Sequence, residues 1–252
     1  MTAMTARDTS PQPTAATDRP IRRALAWRQG IVTETITETA TARSLVFDVE
    51  GWDGHIAGQH FDLRLTAEDG YQATRSYSLS SGPDEPPQIT VERVADGEVS
   101  PYLVDFVEQG DSIELRGPIG GYFVWEPSLG SPLLVGGGSG IAPLRAIWRA
   151  RNGPTSAKPT TVLYSAQSTE RLIFADELTT GTDFDARIHL TRATDPAHRS
   201  GRIGAADLEA AIDATTPAII YVCGPTAFVE TIARHLVELA VDPRTIRTER
   251  FG

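Results

Sequence analysis

The stretch Pro132-Leu133-Leu134-Val135-Gly136-Gly137-Gly138-Ser139-Gly140-Ile141-Ala142-Pro143-Leu144 decides the reading of this 252-residue chain. A short apolar run, Pro132–Val135, ends in glycines and passes into a helical pattern, Ala142–Arg151. Glycines after a strand and at a helix start permit a tight turn and close approach of backbone to a ligand. Free N–H groups and the helix dipole at that point favour an anion such as a pyrophosphate. The spacing is neither the G-x-G-x-x-G fingerprint nor a Walker loop. A glycine-rich connection that only packs a helix against a sheet is the competing reading. Downstream the alternation continues through strand Thr161–Tyr164, helix Leu172–Leu178, strand Ala186–Leu190 and helix Ala205–Ile212. Strand Ala218–Val222, a long helix Thr226–Ala240 and a last strand Ile246–Glu249 complete it. Apolar strands alternating with helices predict a parallel sheet covered on both faces, with ligands beyond the carboxyl ends of its strands.

Upstream the period changes. Ser44–Asp48, Gln59–Leu65, Thr74–Leu79, Gln88–Val94 and Ser112–Arg116 are short segments separated by turn clusters such as Ala67–Gly70 and Ser81–Pro87. Phe61-Asp62-Leu63-Arg64-Leu65 alternates apolar with polar, as a half-buried strand does. Short strands at this spacing predict a small antiparallel barrel. One helix interrupts them at Ser100–Glu108, with Tyr102, Leu103, Phe106 and Val107 on one face. The expected architecture therefore has two domains, an antiparallel β-barrel at 21–126 and a Rossmann-like α/β domain at 131–252. Glu126–Ser131, with Pro127 and Gly130, reads as the linker, and residues 1–20, rich in Thr, Ala, Pro and Asp, as a disordered tail.

Composition narrows the function classes. Apolar content of 40% supports a packed core, and a formal charge of -10 argues against nucleic acid as a partner. The single cysteine, Cys223, cannot form an internal disulfide, a Cys-ligated iron–sulfur cluster or a structural zinc site. No apolar run has bilayer length and no signal-peptide core is present, so a cytoplasmic protein without membrane contact is expected. The five histidines (His55, His60, His189, His198, His235) show no metal-ligand spacing, and no metal is expected.

Three further segments carry candidate chemistry. Tyr221-Val222-Cys223-Gly224-Pro225-Thr226 again lies where a strand hands over to a helix, on the same sheet edge as the glycine loop. Gly224 lets the backbone approach a ring or phosphate, and Pro225 suits a first helical turn. In Arg75-Ser76-Tyr77-Ser78-Leu79-Ser80, alternation puts Arg75, Tyr77 and Leu79 on one strand face and Ser76 and Ser78 on the other. Arg supplies a bidentate phosphate clamp, Tyr a face for a flat ring and Ser a hydroxyl for a ring nitrogen. An ordinary polar surface strand reads the same way. In Asp96-Gly97-Glu98-Val99-Ser100-Pro101-Tyr102, Ser100 fits an N-cap and Pro101 the first helical position, beside a possible second phosphate site.

Taken in order, the R-x-Y-S strand, the Gly-x-x-Ser helix start, the Gly-Gly-Gly-Ser-Gly-Ile-Ala-Pro loop and Cys-Gly-Pro resemble the ferredoxin–NADP⁺ reductase superfamily. The likeness runs from about Ala24 to Gly252, and within the superfamily the chain is similar to stand-alone bacterial FAD-binding oxidoreductases. The resemblance implies a flavin-binding barrel followed by an NAD(P)-binding domain. Arg75 would hold the flavin pyrophosphate, Tyr77 pack on the isoalloxazine, and Ser78 bond near the ring nitrogen where hydride arrives; Ser76 belongs to the same cofactor-binding strand. Gly97, Val99 and Ser100 match the element that binds the FAD pyrophosphate, which implies FAD rather than FMN. Gly137, Gly138, Gly140 and Pro143 would shape the phosphate site of the nicotinamide nucleotide, and Cys223, Gly224 and Pro225 would border the nicotinamide. Phe251 would sit over the flavin with Glu249 near the redox centre, so that Ser78, Cys223, Glu249 and Phe251 form the catalytic set. His60, in the Gly-Gln-x region beginning at Gly58, would approach the flavin. Gln167 stands where an Arg often selects NADPH, and Arg171 or Arg192 could serve instead, leaving NADH and NADPH open.

The implied activity is hydride transfer from NAD(P)H to FAD, then electron transfer to an external acceptor. A ferredoxin-type protein serving an oxygenase or cytochrome P450 is the leading acceptor. Direct reduction of free flavin, quinone or ferric chelate is one alternative; a flavoprotein relay subunit is the other.

Overall fold

In the computed structural model, residues 25–151, 160–181 and 184–251 are described. The expected tail at 1–20 and Gly252 lie outside them. The first half holds six strands, β1 (Arg28–Thr39), β2 (Ala42–Val49), β3 (His60–Thr66), β4 (Gln72–Ser78), β5 (Gln88–Glu92) and β6 (Ser112–Ile119). They pair antiparallel in the order β4-β3-β6-β1-β2-β5. An antiparallel bridge from Leu79 to Ile89 joins the two outer strands, so the sheet closes on itself as a barrel. Phe47, Phe61, Leu63, Leu79, Ile89, Leu103 and Leu115 fill its interior.

Strand β1 has no counterpart in the sequence reading. Its residues, Thr33-Glu34-Thr35-Ile36-Thr37-Glu38-Thr39, look polar, yet Thr is β-branched and suits the pleated surface of a strand set between β6 and β2. The short helix α1 (Val99–Asp105) corrects three expectations. Glu98, not Ser100, occupies the N-cap position, and Pro101 stands third in the helix. Ser100 Oγ instead accepts from the Val94 backbone N–H at 3.0 Å. Leu103 and Val107 are buried, but Tyr102 and Phe106 are 45% and 67% exposed, because the helix is too short to wrap all four side chains inward.

The second half contains β7 (Pro132–Gly137), α2 (Ile141–Arg151), β8 (Thr160–Ala166), α3 (Ala175–Thr180), β9 (Phe184–Leu190), β10 (Arg199–Ser200), α4 (Ala205–Thr215), β11 (Ile219–Pro225), α5 (Thr226–Glu238) and β12 (Ile246–Phe251). The strands pair parallel in the order β10-β9-β8-β7-β11-β12. Alternate residues of β7 enter opposite layers: Leu134 packs with Trp148, Tyr164 and Tyr221, whereas Leu133 and Val135 pack with Leu208, Val229 and Leu236. The helix expected at Leu172–Leu178 begins three residues later, after a 3₁₀ turn at Thr169–Arg171. No helix among the described residues is long and apolar enough to cross a membrane.

Chain order reverses at β7. From it the chain steps outward through β8, β9 and β10, then returns to its other side with β11 and β12. Such a switch point leaves a crevice beyond the carboxyl ends of the two adjacent strands. Here those ends are Gly137 of β7 and Gly224-Pro225 of β11.

Candidate active site at the junction of barrel and sheet

Two clefts meet where the barrel faces this crevice. The larger, about 690 Å³, is walled on the barrel side by Arg75, Ser76, Tyr77, Ser78, Thr90, Val99 and Ser100, and on the sheet side by Ser139, Pro143, Cys223, Glu249 and Phe251. The smaller, about 390 Å³, holds Gly137, Gly138, Gln167, Arg171, Arg202, Pro225 and Phe251. Glu92 and Phe251 line both. Register explains the convergence: Cys223 pairs with Glu249 and Pro225 with Phe251 across β11 and β12.

Strand β4 brings its motif to the larger cleft. Arg75 keeps its side chain 57% exposed, with only a 4.0 Å approach to Glu98 and a 2.8 Å bond to its neighbour's carbonyl, so most of its fork faces outward. The Tyr77 hydroxyl is pushed up to about 12 by burial, which keeps it neutral as a packing face. Ser76 donates to Asp62 at 2.7 Å, so its hydroxyl is already engaged. Ser78 Oγ donates to Glu249 Oε1 at 2.8 Å across 171 residues of sequence. Burial raises the Glu249 carboxyl above its usual range, against the lowering effects of Ser78 and His60. Cys223 is 1% exposed, and burial, then the nearby Glu249 charge, pushes its thiol well up, making it a poor nucleophile. His60 also lines this cleft.

The glycines divide into two groups. Gly137 and Gly138 line the smaller cleft, and Gly138 adopts φ +56. Gly140 lines neither; a Cβ there would stand 2.3 Å from the Cys223 carbonyl oxygen. Its role is contact between loop and strand β11. Gly224 likewise abuts Phe228 and the Gly137 backbone, with Cβ distances of 2.7 and 3.2 Å. Gly97 lies outside both clefts, its N–H donating to Val94 O at 3.0 Å. Pro225 is the N-cap of α5 rather than its first residue.

Two residues emerge only from the structure. Glu92, at the end of β5, accepts from the Ser139 backbone N–H at 3.2 Å and so occupies one of the loop's donors from the barrel side. Arg202 lines the smaller cleft and makes no ion pair among the described residues, whereas Arg171 is tied to Thr41 at 2.6 Å and Arg192 lies outside the cleft. Glu92 closes a strand as an ordinary polar residue and Arg202 sits in a polar loop, so neither position carries a distinguishing period.

The arrangement agrees with comparison to known proteins. Residues 29–124 match the oxidoreductase FAD-binding domain family, and residues 134–234 match the oxidoreductase NAD-binding domain family. The chain belongs to the ferredoxin–NADP⁺ reductase superfamily. Within that superfamily it is 30% identical to flavohemoprotein A of Dictyostelium discoideum, over 89% of this chain and 60% of that protein. It is 28% identical to the reductase component of the naphthalene 1,2-dioxygenase system of Pseudomonas putida, over 77% of this chain and 60% of the relative. The chain thus spans about three fifths of these curated relatives. Among solved structures, the flavohem-like FAD/NAD binding domain of nitric oxide dioxygenase from Vibrio cholerae superposes with TM-score 0.78 at 28% identity, covering 89% of this chain and 98% of that one. The barrel is therefore the FAD-binding domain of this superfamily and the parallel sheet its NAD-binding domain.

Proposed function

We propose that this chain is an NAD(P)H-dependent flavin oxidoreductase that hands electrons to a separate acceptor, a ferredoxin-type protein of an oxygenase or P450 system. The observation that carries the reading is the shared wall: Glu92 and Phe251 belong to both clefts, so ligands of the two domains meet at one junction. The naphthalene 1,2-dioxygenase relative is named as a ferredoxin–NAD(P)⁺ reductase component, which supports the choice of acceptor.

The residues present fit FAD. Arg75 offers an outward guanidinium for its pyrophosphate beside Val99 and Ser100, and Tyr77 a neutral ring face for the isoalloxazine. Gly137 and Gly138 allow close approach of the nicotinamide nucleotide. When bound, FAD supplies the redox chemistry, accepting hydride and releasing electrons. The chain's own part is alignment. Ser78 presents its hydroxyl at the junction and is oriented by Glu249, whose carboxyl is raised above its usual range by burial. Phe251, 38% exposed, lines both clefts and so stands where the ligands of the two domains would meet. Cys223 borders the site as a neutral, compact wall.

Purified protein should show flavin absorption bands and oxidise NAD(P)H faster with an added ferredoxin. A colourless protein that cannot be reconstituted with FAD or FMN overturns the reading. Turnover with free flavin, quinone or ferric chelate alone would replace the protein acceptor by a small one.

A further inference from the structure

Strand β4 leads directly from the larger cleft to the place where the α/β half grips the barrel. Beyond Ser78 the chain runs through Leu79 to Ser80, both fully buried. Arg145, the fifth residue of α2, is 9% exposed and lines neither cleft. Its Nη1 donates to the Ser80 carbonyl at 3.0 Å and to Gln88 Oε1 at 3.4 Å. Its Nε donates to Glu177 Oε2 at 2.7 Å, and its guanidinium carbon lies 4.5 Å over the Phe174 ring. Burial would raise the Glu177 carboxyl, but Arg145 beside it, with a bond from Trp148, holds it below the usual range.

A second set of contacts returns from Phe174 to the same serine. The Phe174 N–H donates to Glu38 Oε2 at 3.2 Å, and Glu38 Oε1 accepts from Ser44 Oγ at 2.6 Å. Ser44 and Thr90 share a hydrogen bond of 2.8 Å, as do Thr90 and Ser80. Thr90 itself lines the larger cleft. Phe174 has φ +60, a strained conformation for a bulky residue that persists only where its surroundings determine it. The circuit Arg145–Phe174–Glu38–Ser44–Thr90–Ser80–Arg145 therefore closes across the boundary between barrel and sheet.

A buried ion pair is a poor source of stability compared with apolar packing. What a guanidinium alone supplies is geometry: a planar fork with several fixed donors and a face that stacks on a ring. We propose that Arg145 is a positioning residue for hydride transfer, its fork setting the separation of β4, which carries Tyr77 and Ser78, from α2, which follows the glycine loop. This rests on the hydride-transfer reading above. Transfer needs reacting atoms about 3–3.5 Å apart, and a displacement of about 1 Å can cost on the order of a hundredfold in rate.

The test uses the FAD-loaded full chain carrying Arg145→Lys, which keeps the charge and loses the fork. Anaerobic stopped-flow reduction of the flavin by NADH and by NADPH separates limiting rate from nucleotide affinity. The limiting rate should fall about tenfold or more, with a weakened nicotinamide–flavin charge-transfer band, while FAD content and nucleotide affinity change less than about twofold. Glu85→Gln loosens the neighbouring Arg149–Glu85 pair, a 2.7 Å contact across the same boundary, and should leave the limiting rate unchanged. An unaltered rate in Arg145→Lys overturns the proposal. So does equal slowing in both variants, or an Arg145→Lys protein too unstable to hold FAD, since either marks general docking or folding. Failure of the unsubstituted protein to reduce its flavin would instead sink the redox reading beneath it.

Discussion

Replacing Gly140 by alanine would place a methyl group 2.3 Å from the Cys223 carbonyl oxygen, 2.5 Å from its carbon and 2.7 Å from the Gly224 nitrogen. All three are backbone atoms of a central strand, so none can swing aside as a side-chain end would. Reaching ordinary contact at 3.4 Å demands a shift of about 1 Å between the glycine loop and β11. Forcing extra volume into a packed site costs about 1–3 kcal/mol. At about 2–4 °C per kcal/mol for a protein of this size, melting should fall by roughly 2–12 °C. The shift also displaces Gly137 and Gly138 in the smaller cleft, so affinity for the nicotinamide nucleotide should weaken. FAD content should hold, because the clashing atoms belong to the sheet. Thermal melts, flavin content and nucleotide titration read the three quantities together. Gly121→Ala is the matched control, since a Cβ there meets nothing within 4 Å, and its melting should not change. A Gly140→Ala protein that melts within about 1 °C of the original and binds nucleotide equally would refute the packing argument.

Four other outcomes are expected. Arg75→Ala should lose FAD on purification while FMN binding weakens less; stoichiometric FAD in the variant would show that Arg75 does not hold the pyrophosphate. Because burial raises the folded Glu249 carboxyl above its unfolded value, that group favours the fold when protonated and loses this contribution as pH rises through the raised value. Glu249→Gln should therefore melt higher than the original at pH about 7 and show no gain near pH about 4, as melts across that range would reveal. Arg202→Ala should raise the KM for NADPH more than that for NADH, since Arg202 offers the less engaged guanidinium in the smaller cleft; equal changes in steady-state assays would count against it. Cys223 should resist thiol reagents until the protein unfolds, and a stoichiometric reaction with folded protein would contradict its burial.

The sequence showed the parallel half most clearly, because runs such as Leu133-Leu134-Val135 and Ile219-Ile220-Tyr221-Val222 are buried on both faces and leave an unmistakable apolar signature. Strand β1 escaped because its Thr and Glu side chains mask its alternation, while its place is fixed by pairing with β2 across a tight turn and with the distant β6. The exposed rings of Tyr102 and Phe106 misled for the opposite reason: apolar spacing was present without a layer to cover it. At the site, motif order located β4, the glycine loop and β11. It did not distinguish Gly137 and Gly138, which face the cleft, from Gly140, which separates two backbones. Glu92, Arg145 and Arg202 were invisible, since their significance lies in what tertiary structure places opposite them.

The bond from Ser78 to Glu249 joins residues separated by 171 positions, and Glu249 lies on β12, the last described strand and an edge of its sheet. Domains emerge and fold from the N-terminal side during synthesis. The barrel, with Arg75 and Tyr77 in place, can thus be formed while β12 is still inside the ribosome. A nascent chain at that stage has a place for flavin but lacks both Glu249 and Phe251. The wall shared by the two clefts forms only once this edge strand has docked against β11, so the junction is assembled after the barrel that it faces.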